Sequence, residues 1–174
     1  MRNLIHALLF QAGWWVCIGG VGHGLEWEAI VFCLALMGAQ LYFSPSRSQD
    51  MQLGGIALLM GIAVDTTLQQ LSYIDFYGWA LAPLSPFWLW LLWAMFGLTL
   101  NSLLALFRHP SPLFLSITGL VSGPLTYYAG AKLGAAQFIV TPMHLAGVAV
   151  AWMLCLPFLS ICAQQVSRAP KHTT

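Results

Sequence analysis

The sequence predicts an all-α integral membrane protein, six transmembrane helices in one compact bundle with both termini in the cytoplasm. Three observations carry this. Of 174 residues, 59% are hydrophobic and only 6% are charged, whereas soluble domains carry roughly a quarter of their residues as Asp, Glu, Lys or Arg. A soluble fold of this size could not keep its surface in water, so lipid must be the solvent for most of it. The chain also divides into six apolar segments, each near the roughly 20 helical residues that cross a core about 30 Å thick. Finally, its few basic residues fall on alternate connections.

The first span, 3–20, follows Arg2 and imitates a secretory signal. Trp14, Trp15 and Cys17 stand where a small-x-small cleavage site would lie, so the segment is expected to persist as a helix. The second, 27–43, ends at the turn Ser44-Pro45-Ser46. The third, 52–71, is apolar except for Asp65 and the Thr66, Thr67, Gln69 and Gln70 that follow it. The fourth, 86–107, opens beyond Pro83 and Pro86. The fifth, 112–131, follows Pro110 and starts on Pro112, where a missing N–H would be unpaired anyway. The sixth is 138–163. Pro124, Pro142 and Pro157 fall inside spans, and each removes a backbone bond and can kink its helix. One membrane domain thus covers 1–166, with a short polar tail, 167–174, on the cytoplasmic side.

Orientation follows from the charges. With the N-terminus inside, Arg2, Arg47, Arg108, Arg168 and Lys171 are cytoplasmic, and Lys132 is outside with Glu26, Glu28 and Asp75. Trp14, Trp15, Trp27, Tyr73, Tyr77, Trp79, Trp88 and Trp90 then form a belt near the outer interface. A net charge of +1 offers no basic stripe for phosphates, which excludes nucleic acid as a partner. Cys17, Cys33, Cys155 and Cys162 all lie in apolar segments without a C-x-x-C pair, so they are expected to be buried thiols.

Lipid tails are as apolar as leucine, so helices meet through small residues and polar contacts. On the fifth span Ser116, Gly119, Gly123, Thr126 and Gly130 form one smooth stripe containing a G-x-x-x-G motif. The third span repeats it with Gly54, Ala57, Gly61, Asp65, Gln69 and Ser72, and the fourth with Ala94, Gly97, Asn101 and Ala105. Asp65 is therefore expected on a packing face, away from lipid.

Four stretches carry a resemblance: FQAGWW (10–15), the mid-span Asp65, LAPLSPFWLWLLWAMFGLTLNSLL (81–104) and GPLTYYAGAKLGA (123–135). In this order and spacing the chain resembles a bacterial family of small polytopic inner-membrane proteins classed only as a domain of unknown function. The likeness covers nearly the whole chain, and its most specific part is the Gly-Pro-Leu…Tyr…Gly…Leu-Gly stretch. Members often show a His or Ser beside the fourth-span asparagine, and here Ser102 follows Asn101. The resemblance implies the bacterial inner membrane as location. It also implies a partner in fatty-acid modification, because members tend to neighbour genes of the cyclopropane-synthase kind. It supplies no activity.

The polar residues carry what functional signal there is. A lone Asp at a helix centre costs roughly 2.5–3.5 kcal/mol on insertion scales, and something must offset it. One possibility is a neutral carboxyl hydrogen-bonded to Tyr127, Tyr128 or Gln11; the other is an ionised carboxylate reached by water from the periplasmic side. Counting along the helices puts Asp65, Gln69, Tyr127, Tyr128, Lys132 and His144 in the outer half of the bundle, and Gln11 and Asn101 in the inner half.

Read as an enzyme on a lipid, fatty-acyl or other amphipathic substrate, the chain would use Asp65 as general acid or base with His144 as its catalytic partner. Gln69, Tyr127, Tyr128, Lys132, Asn101 and Gln11 would then contact the substrate. Read as a small carrier, it would use Asp65 as a proton site and Gly123-Pro124 as a hinge, with a homodimer supplying symmetry that its two halves lack. Read as an accessory or scaffold subunit, it would keep Asp65 as a packing polar and Asn101 and Gln11 as interhelical glue. Membrane lipids are the expected partners, and no cofactor or metal is expected. No lysine lies within a span for a retinal Schiff base, no two histidines share a depth for haem, and no phosphate-binding glycine motif occurs.

Overall fold

The computed structural model describes residues 2–107 and 110–168; Arg108, Lys171 and the tail from 169 onward lie outside the described residues, as does the side chain of Arg2. Six helices account for nearly all of it: α1 (Arg2–Gly22), α2 (Glu26–Phe43), α3 (Arg47–Gln70), α4 (Phe87–Leu106), α5 (Pro112–Lys132) and α6 (Pro142–Arg168). All except α5 are long and apolar enough to cross a membrane. Serine, threonine, glycine and proline dilute α5, but its 21 residues still span about 32 Å. Its start is fixed by the sequence. Pro112 needs no N–H partner there, and the Ser111 side chain accepts a bond of 3.2 Å from Phe114 N.

The helices pack as interlocking pairs, α3 on α4 and α5 on α6, with α1 set against both α2 and α4. Glycines set the close approaches. A side chain at Gly97 of α4 would run into the backbone of Leu53 and Gly54, and one at Gly61 of α3 would enter the Trp93 ring. The small stripes of α3 and α4 therefore mate with each other. On α5, Gly119 and Gly123 both lie against Trp152 of α6. The thiols of Cys17, Cys33, Cys155 and Cys162 are free, the first three buried.

Three boundaries differ by four or more residues from what the apolar runs suggest: the starts of α3 and α6, and the end of α6, which runs to Arg168, five residues past 163. Helix α3 begins at Arg47, five residues before position 52, because its first turn is held by polar contacts. Ser44 Oγ donates to Asp50 Oδ2 at 2.6 Å, and Asn101 Nδ2 donates to Asp50 Oδ1 at 2.9 Å. Asp65 consequently comes about 27 Å along a helix of about 36 Å, in its last two turns. Helix α6 starts at Pro142, four residues after position 138, because the residues before it pair elsewhere. Strand β1 (Asp75–Phe76) and strand β2 (Ala136–Gln137) form an antiparallel two-stranded ladder, so the α3–α4 and α5–α6 connections are tied together.

This ladder closes the end of the bundle near Asp65. Trp88 Nε1 donates to Tyr77 O at 2.8 Å, Ser85 N to Thr66 Oγ1 at 3.0 Å, and Gln70 Nε2 to Pro83 O at 2.9 Å. Helix α2 joins the same structure, since both Glu26 carboxylate oxygens lie 3.0 Å from Trp79 N. Gly78 permits that contact, because it holds φ +110 and a Cβ there would crowd Glu26 Oε1. Glu26 and Glu28 thus form the first turn of α2 and not a loop. The opposite end carries Arg47 and Arg168, with Gln49 of α3 bonded to Val166 O of α6.

Candidate functional site

Asp65 is fully buried, and it sits on the mating face of α3 as its place in the small-residue stripe requires. Each carboxyl oxygen has one donor. Trp93 Nε1 of α4 donates to Oδ2 at 2.8 Å, and the Tyr127 hydroxyl of α5 donates to Oδ1. Both partners are neutral, so three helices meet on one carboxyl group without an ion pair. The Trp93 ring stacks on Trp152 of α6 with centroids 5.0 Å apart and planes 24° from parallel. Tyr127 stands edge-on to Trp152 at 6.3 Å, and Phe76 of β1 covers Tyr127 at 5.8 Å. The acid is thus boxed by aromatic rings below and by the β1–β2 ladder above. Its burial is offset by two directed hydrogen bonds.

Beside the box runs a cleft of 620 Å³, within the roughly 300–1,000 Å³ usual for small-molecule sites. It lies between α1 and α5, which do not pack along their length. Among the described residues they approach each other at the ladder end, where Gly22 rests on the Leu133 carbonyl and Gly134. One wall is Gln11, Trp14 and Trp15 of α1, and the facing wall is Thr118, Ser122 and Thr126 of α5. The floor comes from Trp93 and Phe96 of α4 with Trp152 and Leu156 of α6. From Phe114 to Gly130 it follows α5 for about 24 Å. Tyr127 is where cleft and acid meet: its ring lines the cleft while its hydroxyl is turned onto Asp65.

The structure brings Asp65 and Tyr127 together and leaves the other sequence candidates dispersed. Gln11 lines the cleft from α1. Gln69 is half-buried one turn beyond Asp65, and its Oε1 has no hydrogen-bond partner among the described residues. His144 stands at the ladder end, where its Nδ1 is 2.5 Å from Thr141 Oγ1 and its ring lies 5.3 Å from that of Tyr73. Tyr128 points outward and pairs with Lys132, whose Nζ lies 5.3 Å from the ring centre. Asn101 is at the far end, bonded to Asp50. Adjacent residues on a helix diverge by about 100°, so Tyr127 and Tyr128 could not both face Asp65.

Sequence reasoning overlooked Trp93 and Trp152, which form the box. Trp93 sits in a span rich in aromatics, where nothing local marks one ring as a hydrogen-bond donor to a distant acid, and Trp152 stands in a span with only one other aromatic, Phe158. The available signal was Gly61, one turn from Asp65 on the same face, whose missing side chain is the space that Trp93 fills. Also overlooked were Asp50 and Gln40, the latter fully buried and joined to the inner-half Thr99 by a 2.6 Å bond from Gln40 Nε2 to Thr99 Oγ1. Asp50 in the first turn of α3 was legible as a favourable acid at a helix start.

No curated protein and no solved structure matches this chain. A family model does, over residues 3–158, and its description is a protein of unknown function, DUF2878. The span matched is most of the 174 residues, covering every element that builds the box and the cleft. This multi-helical membrane protein therefore belongs to the DUF2878 family of proteins of unknown function.

Proposed function

We propose that this protein binds an acyl chain or similar amphipathic molecule in the cleft between α1 and α5, entering sideways from the bilayer, and that the Tyr127 ring, fixed on Asp65 by its hydroxyl, faces the bound molecule. The observation that carries this reading is the cleft itself. It is large, predominantly apolar, about as long as a membrane leaflet is deep, and bordered at one point by a phenol fixed on a buried acid. Intramembrane carboxyl groups are rare and are kept for function or for paired structure, and this one stands next to a place where a ligand fits. The charge distribution supports an orientation with the Arg47–Arg168 end in the cytoplasm of a bacterium and the ladder end facing out.

Photoactivatable palmitate tests the binding. In membranes containing the protein, label is expected on α1 near Gln11 and Trp15 and on α5 near Ser122 and Thr126. Ser122→Trp should fill the cleft and reduce that labelling about tenfold, in keeping with the loss of a well-packed apolar site. Uniform labelling around the bundle, unchanged in Ser122→Trp, would sink the proposal. Asp65→Asn separates binding from chemistry, because it keeps the size of the side chain and an acceptor for Trp93 Nε1, reverses the bond to the Tyr127 hydroxyl, and removes ionisation. Normal labelling together with a changed lipid profile in a strain carrying Asp65→Asn is expected if Asp65 takes part in a reaction. An unchanged profile would leave it as a structural anchor of a binding protein.

A further inference from the structure

Sulfur atoms from three helices come together in the seam where α1 packs on α2 and α4. Gly20 of α1 rests on Ala29 of α2, and Gly13 rests on Leu36. In this antiparallel pair Cys17 comes level with Cys33, and the two thiols lie within hydrogen-bonding reach of each other. Cys33 Sγ is also 3.5 Å from Gly13 O, and Cys17 Sγ is 3.9 Å from Trp88 O of α4. Met95 of α4 closes the group, since a Cβ on Gly13 would stand 3.0 Å from its Sδ. All three sulfur-bearing side chains are 0% exposed. Spacing along the chain hides this cluster, because each sulfur comes from a different helix.

The donor set decides what such a place can hold. Two thiols and a thioether are soft ligands. The thioether favours Cu(I) over zinc, which is held by Cys, His and carboxylate. The harder donors nearby are distant or engaged. His6, on the same face of α1, lies about 10 Å below Gly13 along the helix. Glu26 lies about 10 Å above Cys33 along α2, and its carboxylate is engaged by Trp79 N. The charge balances as well. One thiolate neutralises a monovalent ion while the second thiol and the thioether stay neutral, so no net charge is buried among apolar helices. Metal–sulfur bonds of about 2.3 Å set at 120° put the sulfurs about 4 Å apart. That is ordinary contact between packed sulfur atoms, so the seam need not open to admit the ion.

We propose that Cys17, Cys33 and Met95 form a trigonal site for Cu(I), with one sulfur from each of α1, α2 and α4. On binding, one thiol S–H bond breaks, a Cu–S bond forms and the proton leaves to solvent. The copper stays Cu(I) and no sulfur is oxidised. The site is separate from the α1–α5 cleft and does not depend on what that cleft binds, because Cys17 is six residues from Gln11 and so about 120° around α1. The ion ties α1 to both of its neighbours.

The test is the copper content of the full chain, purified in detergent without oxygen and equilibrated with Cu(I) buffered by bathocuproine disulfonate. About one copper per chain is expected, with X-ray absorption at the copper edge showing a shell of sulfur alone. Cys17→Ser and Cys33→Ser should each weaken retention at least about tenfold, the scale on which even outer-shell partners act. Met95→Leu keeps the side-chain volume and so should fold, and it is expected to weaken retention similarly. Cu(I) should raise the thermal midpoint of the unaltered chain and not that of Met95→Leu. Cys155→Ser, which changes a thiol on α6, should retain the metal. A chain that takes up no copper, or a shell containing nitrogen or oxygen, overturns the proposal. So does copper held equally well by Cys33→Ser or Met95→Leu, or lost from Cys155→Ser, because either result puts the ion elsewhere.

Discussion

Trp93→Ala is expected to destabilise the protein by about 3–5 kcal/mol, with a thermal transition lower by on the order of 10 °C. Three losses combine. The ring is 4% exposed and fills the space left by Gly61. It stacks on Trp152, so its removal frees a second large ring. It also donates one of the two hydrogen bonds to Asp65, and a buried carboxyl left short of a donor is penalised by about 1–3 kcal/mol more. Lipid is as apolar as the protein interior, so most of the packing loss is dispersion and cavity and little is solvent transfer. Trp93→Phe keeps much of the ring and removes only the N–H, and should cost about 1–2 kcal/mol. Thermal unfolding of the two variants in the same detergent checks the division. Equal losses would mean that the hydrogen bond dominates. No loss in either would mean that the aromatic box is not a structural unit.

Gly97→Val is the second large effect, expected to exceed about 3 kcal/mol or to prevent assembly of the bundle. A Cβ on Gly97 would stand 2.7 Å from Gly54 Cα and 2.8 Å from Ala57 Cβ, and closer still to the Leu53 carbonyl. These are mostly backbone atoms, which cannot swing aside as the tip of a leucine can. Helices α3 and α4 would have to separate, and Trp93, one turn earlier on α4, would be drawn away from Asp65 on α3. The control is Gly55→Ala on the neighbouring face of α3, where a Cβ meets nothing within 4 Å and the change should stay within about 0.5 kcal/mol. Comparing trypsin resistance and thermal midpoint of the two variants tests the mated stripes directly. Similar behaviour would remove the close α3–α4 approach as the organising contact.

Much of this architecture was open to a reader of the sequence. Six helices follow from hydropathy, because a chain with 6% charge has only lipid to face and only helices pair every backbone group within one segment. Asp65 could be assigned to a packing face because it continues Gly54, Ala57 and Gly61 at helical spacing. Pro112 announced the start of α5. Local rules sufficed in each case, because the evidence lies within a few turns of one helix.

What sequence could not supply was which helix meets which, and at what rotation. Depth along a helix can be counted, and on that basis Tyr127, Tyr128, Lys132 and His144 looked like one cluster with Asp65. Only Tyr127 turns toward it. Tyr128 is rotated about 100° away, and His144 is held at the end of α6 by Thr141. Trp93 and Trp152 come to the acid from helices 28 residues and more away in the chain. The β1–β2 ladder was equally hidden, since strands of two residues carry no periodicity. By itself the sequence determined a set of apolar helices with one acid on an inner face. The tertiary structure alone decided which side chains hold that acid and where a cleft opens beside it, because azimuth and partner choice are set by long-range packing and not by spacing along one helix.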